Sequence, residues 1–538
     1  MFQEDRRTKL FTIGAMCFGL FMVMLDNTVV NLALPTIQRE LGSGLTGLQW
    51  IVDAFTLLLA SFMLTGGTLG DVYGRRRVFL AGLALFTAGS LLCALSPTIG
   101  VLIGGRAFQG LGAAITMPST LAILTSTFHD PRERAQAIGI WAGISGIALA
   151  LGPALGGVMV DSFGWQSIFY LNVPIGLVAL VIAAKIVRES KNPEARGLDL
   201  PGQALAVAGL GSLTYALIEA NNYGWGSVPI IVLLIVAGVA FTVFALWETR
   251  ARNPMLQLSF FKNVTFAGAN LVGLLVSFGF FAILFFLALF MQNVQGFSAT
   301  GAGVRQLPST LAVMVVSIVA GRIVGRVGSR LPMAAGTFLM GSAILLFVTV
   351  GATTPYGSYW WILVILGTGT GLCMSPMTTA VMSTVPTPQA GMASATFNTT
   401  RQVGGAFGIA LLGTIVTGRF AGELKRSLGA LGLPQGLTDN IVAVARHGGG
   451  TESLPSIPGV DASAVQAAIN DSFTAGFHRG LLICGLVVLT GTIVSGLMIR
   501  RTSPRAQMAG RAAEEEAAAR AAPTLAAPAV GLSIERPD

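Results

Sequence analysis

Long apolar stretches recur from one end of this 538-residue chain to the other, and they constrain its fold more than any other feature. Roughly 20 apolar residues are enough to cross a lipid bilayer as a helix. The sequence therefore predicts an all-α integral membrane protein with 14 transmembrane helices. The predicted spans are 10–34, 48–70, 78–96, 101–127, 136–160, 166–187, 198–219, 228–248, 263–291, 301–321, 332–351, 359–382, 394–417 and 478–499.

Composition excludes the main alternatives to a membrane protein. Only 11% of the residues are charged and 53% are hydrophobic, whereas a soluble domain carries about 25% charged residues. The four cysteines lie in apolar stretches and the three histidines have no metal-ligand or catalytic spacing, so we expect no disulfide framework, metal, cofactor or enzyme site.

The basic residues of the short loops predict the orientation of the chain. Arg75, Arg76 and Arg77 lie on the same side as the N-terminus, whereas the short loops of the other side hold only Arg39 and Arg305. Cytoplasmic loops are enriched in Arg and Lys. We therefore expect a cell inner (cytoplasmic) membrane protein with both termini in the cytoplasm, and we attribute the net charge of +9 to orientation rather than to nucleic-acid binding.

An internal repeat divides the predicted spans. The sequence GTLGDVYGRRR at 67–77 follows the second span, and GRIVGRVGSR at 321–330 follows the tenth. A second echo pairs Met-Pro at 117–118 with Ser-Pro at 375–376. Two six-helix halves with a two-helix insertion, a 6+2+6 arrangement, explain both echoes. Such pseudo-symmetric halves are typical of secondary transporters, which bind substrate between them near the middle of the membrane.

These boundaries give four predicted regions. An N-terminal six-helix half covers 1–190, a two-helix insertion covers 191–262, and a C-terminal six-helix half covers 263–502. The last half includes a polar external loop at 418–477. An Ala- and Glu-rich cytoplasmic tail at 503–538 has the composition of a disordered segment.

The loop after the second span is a candidate inner gate. Asp71 can cap the next helix or pair with Arg75 or Arg76, and Gly74 permits a tight turn. Such a charge cluster can hold one conformation and break in another. A basic anchor with a turn is the simpler interpretation, but it leaves Asp71 and the glycine spacing unexplained.

Ionisable residues inside the spans are candidate functional residues because burying charge in lipid is costly. Asp26 in the first span is a candidate proton carrier, and Arg106 in the fourth must face a polar interior or extend to the interface. Asn31 offers hydrogen-bonding groups for a substrate. Asp53, near the outer end of the second span, is a candidate for charge selection, and a simple solvated carboxylate is nearly as plausible. A structural partner for Asp26 on another helix is the alternative to proton exchange.

The fifth span contains a run of small residues around a proline. Gly152, Pro153, Gly156 and Gly157 allow close approach of another helix and bend this one. Ordinary small-residue packing explains the glycines but not the specific Gly-Pro and Gly-Gly pairs.

Taken together, residues 8–500 resemble the major facilitator superfamily, and specifically its drug:proton antiporters with fourteen spans. The resemblance implies an inner gate at Asp71, Gly74, Arg75 and Arg76, and the exporter motif in the fifth span. It also implies proton coupling through Arg106, with the first-span carboxylate at Asp26 and the second-span carboxylate of some cationic-drug exporters at Asp53.

Two departures from the family pattern bear on substrates. Gln166 stands where the family often has arginine, and the predicted spans of the C-terminal half contain no Asp or Glu, only Arg401. Because exporters of divalent cations can carry acids in that half, a preference for dications is disfavoured.

The leading hypothesis is proton-coupled export of hydrophobic or amphiphilic compounds such as drugs, dyes or antibiotics by alternating access. Its partners would be small molecules, protons and membrane lipid. Export of an endogenous lipid or secreted metabolite is the alternative in the same fold. A receptor or scaffold without transport is disfavoured because it has no need of Asp26 and Arg106 inside the membrane.

Overall fold

The computed structural model describes residues 2–128, 130–191, 197–386, 389–446 and 462–500. Throughout these residues the regular structure is helical. The α-helices are α1 Phe2–Leu41, α2 Leu45–Tyr73, α3 Arg75–Ala94, α4 Ile99–Thr127, α5 Pro131–Phe163, α6 Ser167–Tyr170, α7 Asn172–Ile186, α8 Leu200–Tyr223, α9 Val228–Glu248, α10 Val264–Leu289, α11 Ala299–Val327, α12 Arg330–Leu346, α13 Trp360–Met382, α14 Ala390–Ala430, α15 Gln435–Arg446 and α16 Ala462–Met498.

The predicted number of spans is confirmed, since the described residues contain 14 helical segments long and apolar enough to cross a membrane. The sixth span consists of α6 and α7, which meet at Leu171. The ninth extends α10 by a π-helical turn, Phe290–Val294. The predicted tail at 503–538 lies outside the described residues, as does the end of the predicted C-terminal half at 501–502.

Most of the described part of the predicted polar external loop at 418–477 is helical. The helices α14 and α16 continue beyond their apolar stretches, and α15 lies between them. Phe420, Leu424, Leu428, Ile441 and Val465 pack into a small separate core. The apolar residues are spaced for one face of a helix rather than forming a continuous run, so a search for long apolar stretches does not detect them. Residues 447–461 are outside the described part.

Matching helices occupy matching positions in the two halves. In the N-terminal half α4 packs on α2 and α3, and in the C-terminal half α13 packs on α11 and α12. The repeated glycines Gly74 and Gly328 end α2 and α11 with φ of 109° and 77°, a conformation that favours glycine. The fold is therefore two like helical bundles, as the repeat predicted.

The halves meet along two seams, α5 against α11 and α2 against α14. The insertion helix α8 lies over the second seam and bonds to both of its helices. Gln203 donates to the Ser61 carbonyl at 3.0 Å, and Asn221 donates to the Thr414 carbonyl at 2.6 Å. The insertion thus connects the two halves on this side of the molecule.

The α5–α11 seam is closed at one end and open at the other. At Gly157 a Cβ would lie 2.4 Å from the Ala299 carbonyl oxygen, so the helices touch there. Gly146, Gly143 and Gly139 lie on the same face of α5 by helical periodicity, but a Cβ on any of them would meet nothing within 4 Å. We call the closed end the outer end and the other, which carries the Arg75 loop, the inner end.

Candidate functional site

An ion pair buried between α1 and α4 is the centre of the candidate site. The side chains of Asp26 and Arg106 are each 1% exposed, and Arg106 Nη1 donates to Asp26 Oδ2. Arg106 Nε donates to the Ile51 carbonyl at 3.0 Å, and the guanidinium carbon lies 4.3 Å from the centre of the Phe55 ring. The guanidinium therefore faces the protein interior, which excludes the alternative that it extends to the membrane interface.

Neutral amides complete the coordination of this pair. Gln109 accepts from Arg106 Nη1 at 2.7 Å and donates to Asp26 Oδ1 at 3.1 Å. Asn172 of α7 donates to the same Asp26 oxygen at 2.9 Å. Removing one member of a buried pair leaves an uncompensated charge, at a cost of about 3–5 kcal/mol. Asp26 is on α1, Arg106 and Gln109 are on α4, and Asn172 is on α7. A change in the charge on Asp26 therefore alters contacts among these three helices.

Asp53 is a second buried carboxyl group in the N-terminal half. It is 0% exposed, and neither of its oxygens has a hydrogen-bond partner in the described structure. The interpretation of Asp53 as a solvated residue at the interface is therefore wrong. An ionised group without partners is costly to bury, so Asp53 is suited to meeting a cation, either a proton or a charged substrate.

Asn31 also has an unsatisfied buried atom. Its Oδ1 has no partner among the described residues, and its Nδ2 makes only long bonds, of 3.5 Å, to the carbonyls of Asn27 and Thr28 in its own helix. The amide is thus available to a bound molecule.

The proposed inner gate forms a charge cluster within the N-terminal half. Asp71 accepts two hydrogen bonds from Arg75, at 2.9 and 2.8 Å, across one turn. Glu189, after α7, accepts from the backbone nitrogens of Arg76 and Arg77 at 3.1 and 3.2 Å. A Cβ at Gly74 would lie 2.7 Å from a Glu189 oxygen and would displace that carboxylate, and the positive φ of 109° itself favours glycine.

Glu189 was missed by the sequence reasoning. It is an acidic residue two positions after the predicted span and next to Arg188, which is the one signal that was available. Backbone nitrogens at the start of α3 carry partial positive charge, so a carboxylate there is stabilised.

The fifth-span motif forms the outer part of the α5–α11 seam. At Gly152 and Gly156 a Cβ would clash with Thr28 and Val29 of α1, and the Pro153 carbonyl lies against Gly303 of α11. Near the outer end Asp161 accepts from the backbone nitrogens of Ala299 and Thr300, at 3.2 and 2.8 Å. The small residues thus permit three helices to close together at this end.

An apolar cavity of about 320 Å³ lies between the insertion and the α2–α14 seam. Its walls come from α2, α8, α9, α10, α14 and the segment after α9, and none of the lining residues is charged. Representative lining residues are Leu64, Leu210, Phe241, Phe244, Phe261 and Phe407. Ligand pockets commonly have volumes of about 300–1,000 Å³, so the cavity is large enough for a small hydrophobic molecule.

Two like helical halves are typical of membrane transporters, and comparison with known proteins identifies the family. A profile of the Major Facilitator Superfamily matches residues 16–409. The chain belongs to the Major Facilitator Superfamily, among its drug-efflux proteins.

Two relatives and one solved structure illustrate the similarity. The chain is 40% identical over 425 residues to "Multidrug resistance protein Stp" of Mycobacterium tuberculosis, over 78% of each chain. It is 33% identical over 498 residues to "Tetracenomycin C resistance and export protein" of Streptomyces glaucescens, over 92% of each chain. The fold matches a bacterial homolog of the human lysosomal transporter Spinster in an inward-facing, unoccupied conformation, with a TM-score of 0.62 and 16% identity over 90% of this chain and 97% of that one.

Proposed function

We propose that this protein is a proton-coupled antiporter that exports hydrophobic or amphiphilic compounds, such as drugs, dyes or antibiotics, across the cytoplasmic membrane. The observation that carries the proposal is the buried Asp26–Arg106 pair. A transporter that moves only substrate has no evident use for an ion pair inside the membrane, where charge is costly.

The coupling step is protonation of Asp26. The carboxylate accepts bonds from Arg106, Gln109 and Asn172 in its charged form. A proton on Asp26 removes the attraction to Arg106, which keeps its bond to the Ile51 carbonyl, and so loosens α1 from α4 and α7. The transmembrane potential contributes about 2.3 kcal/mol per 100 mV for each proton that moves inward, which supports modest accumulation of substrate outside.

Alternating access is inferred from the different contacts at the two ends of the α5–α11 seam. With the outer end closed at Gly157 and the inner end open at Gly146, the cleft between the halves faces the side predicted to be cytoplasmic. Rocking one half against the other would exchange these contacts. The loop between α2 and α3 is held in one conformation by the contacts of Asp71 with Arg75 and of Glu189 with Arg76. In that conformation it would contact the C-terminal half when the inner end closes.

Substrate recognition is assigned to apolar surface with few polar contacts. The cavity beside the insertion suits apolar groups. Outside it, the unpartnered oxygens of Asn31 and Asp53 supply a hydrogen-bond acceptor and a charge. We assign to Asp53 the selection of monovalent cationic compounds; a place in the proton path is the alternative. We assign both termini to the cytoplasm, an orientation that the basic short loops support.

Transport by everted membrane vesicles tests the proposal. We expect a panel of apolar dyes to accumulate in vesicles that contain the wild-type protein when an imposed proton gradient is present, and not after the gradient is collapsed. The Asp26→Asn variant, at equal abundance in the membrane, should show no gradient-driven accumulation. Accumulation that is independent of the gradient would overturn the coupling, and the absence of accumulation of any dye would overturn the drug-export assignment.

The cavity also fits a second candidate function, export of an endogenous lipid or secreted metabolite. An uncharged pocket at the membrane-facing insertion would accept a hydrocarbon chain as readily as a drug. Deleting the protein distinguishes the two functions, since a change in envelope lipids with unchanged drug tolerance would favour the second.

A further inference from the structure

Arg401 lies deep in the C-terminal half. It is on α14, about 17 Å along the helix axis from the first residue, whereas the hydrocarbon core is about 30 Å thick. The aliphatic part of its side chain packs against α10 at Gly273, where an added Cβ would lie 3.4 Å from Arg401 Cγ. The residue thus lies within the predicted span 394–417, about 10 Å along the helix axis from its inner end, and its side chain contacts α10 and α13.

The hydrogen bonds of this guanidinium are weak. Arg401 Nε donates to the Ser277 hydroxyl at 3.4 Å, and Nη2 donates to the Met374 sulfur at 3.5 Å. Both acceptors are neutral, both distances are long, and thioether sulfur is a weak acceptor. An arginine has five donors, so most of its hydrogen-bonding capacity is unused.

The C-terminal half offers this cation no counter-charge. The chain has no Asp or Glu between Glu248 and Glu423, and the ion pairs found among the described residues do not include Arg401. Arg106 in the other half, by contrast, is almost fully buried against a carboxylate.

The half-buried side chain of Arg401 is open on one side. Its contacts are with α10 and α13, which belong to the same half as α14, and the inner part of the α5–α11 seam is open. A charged group at this depth is stable only toward a water-filled space. We therefore assign the exposed part of the guanidinium to the inner part of the cleft between the halves.

Resting on the proposed export function, we propose that Arg401 binds the carboxylate of anionic amphiphilic substrates as they enter from the inner end. The planar guanidinium presents paired donors that match the two oxygens of a carboxylate. An anion supplies the missing counter-charge, and the apolar remainder of the molecule lies against the surrounding helices.

A matched pair of probes tests this site. One is a hydrophobic fluorescent dye with a single carboxylate, and the other is its methyl ester, which differs only in charge. In everted vesicles we expect Arg401→Gln to raise KM for the acid at least tenfold and to change KM for the ester less than twofold. Arg401→Lys keeps the charge without the planar fork and should give an intermediate KM for the acid. The exposed Arg326→Gln variant is the matched control and should change neither.

Equal loss of both probes in Arg401→Gln, at wild-type abundance, would overturn the proposal in favour of a structural or coupling role, and an unchanged KM for the acid would overturn it outright. Equilibrium binding of the acid to the purified protein in lipid nanodiscs separates this proposal from the proposed function. If the acid binds wild-type protein at least tenfold more tightly than Arg401→Gln while gradient-driven export fails, the site stands and the antiport assignment falls.

Discussion

The two halves share a helical arrangement, but the arginine inside each half has different bonding partners. In the N-terminal half Arg106 bonds to the Asp26 carboxylate, the Gln109 amide and the Ile51 carbonyl, and Asn172 completes the network from the Asp26 side. In the C-terminal half Arg401 has only two long bonds to neutral atoms. Arg106 therefore belongs to a hydrogen-bonded network that includes a counter-charge, whereas Arg401 has most of its donors available.

This difference indicates that the N-terminal half is specialised for proton coupling and the C-terminal half for anion recognition. A carboxylate in a fully bonded network is suited to a two-state response, because adding one proton changes many contacts at once. An arginine with unused donors is suited to binding whatever anion arrives. The family's two like halves need not contribute equally to coupling and recognition, and the variants below test whether they do.

The largest effect is expected for Asp26→Asn, since an amide cannot carry the proton. Gradient-driven export should be abolished, while downhill exchange of substrate persists. Because the change also leaves Arg106 without its counter-charge, at a cost of about 3–5 kcal/mol of stability, the double variant Asp26→Asn with Arg106→Gln serves as the neutral control. Both should insert in the membrane, and uphill export by either at wild-type rates would remove Asp26 from the coupling role.

Arg106→Ala should come next, with coupled export reduced by two orders of magnitude or more. Alanine removes the bonds to Asp26, Gln109 and the Ile51 carbonyl, whereas Arg106→Lys keeps the charge but not the planar fork and should retain part of the activity. Initial rates in everted vesicles measure both variants. Normal transport by the alanine variant would show that the pair is structural only.

A pair of glycine substitutions should shift the two ends of the α5–α11 seam in opposite directions. Gly157→Val places atoms against the Ala299 carbonyl, so the outer end cannot close as it does here. Gly146→Val meets nothing in this conformation but would obstruct closure of the inner end. We expect a cysteine introduced at Ala142 to be labelled several-fold more slowly from the inner side in the first variant and faster in the second. Shifts in the same direction would contradict the rocking motion.

Asp53→Asn separates charge selection from coupling. Attraction between unit charges 4 Å apart at an effective dielectric of 20 is up to about 4 kcal/mol, so export of a monovalent cationic dye should fall tenfold or more while a neutral dye is spared. Parallel efflux assays with the two dyes distinguish charge selection from a role in the proton path. Loss of both would place Asp53 in the proton path, and loss of neither would leave it without a role in transport.

The sequence predicted the spans well because crossing a membrane requires length and hydrophobicity, both of which are local properties. It also identified Asp26 and Arg106 separately, from the cost of charge in lipid. It did not predict that they touch, because their contact joins residues 80 positions apart and depends on how α1 and α4 pack.

Polar interactions between distant segments were the least predictable features. Asp161 caps α11 from α5, and Glu189 caps α3 from beyond α7. Each is an unremarkable acidic residue in the sequence, and only the arrangement of the helices gives it a partner. The helical part of 418–477 escaped prediction for a related reason, since a helix with one narrow apolar face lacks the long apolar run of a span.

The smallest effect is expected for Asp71→Asn at the inner gate. The two hydrogen bonds from Arg75 to one Asp71 oxygen are local and partly exposed, and exposed ion pairs contribute only about 0–1 kcal/mol. Because the proposed role is to shape the loop that closes the inner end, turnover should slow about three- to fivefold while KM for substrate stays within twofold. Steady-state export over a range of dye concentrations separates the two parameters. A raised KM at unchanged turnover would assign Asp71 to substrate binding, and would then place recognition in the N-terminal half as well.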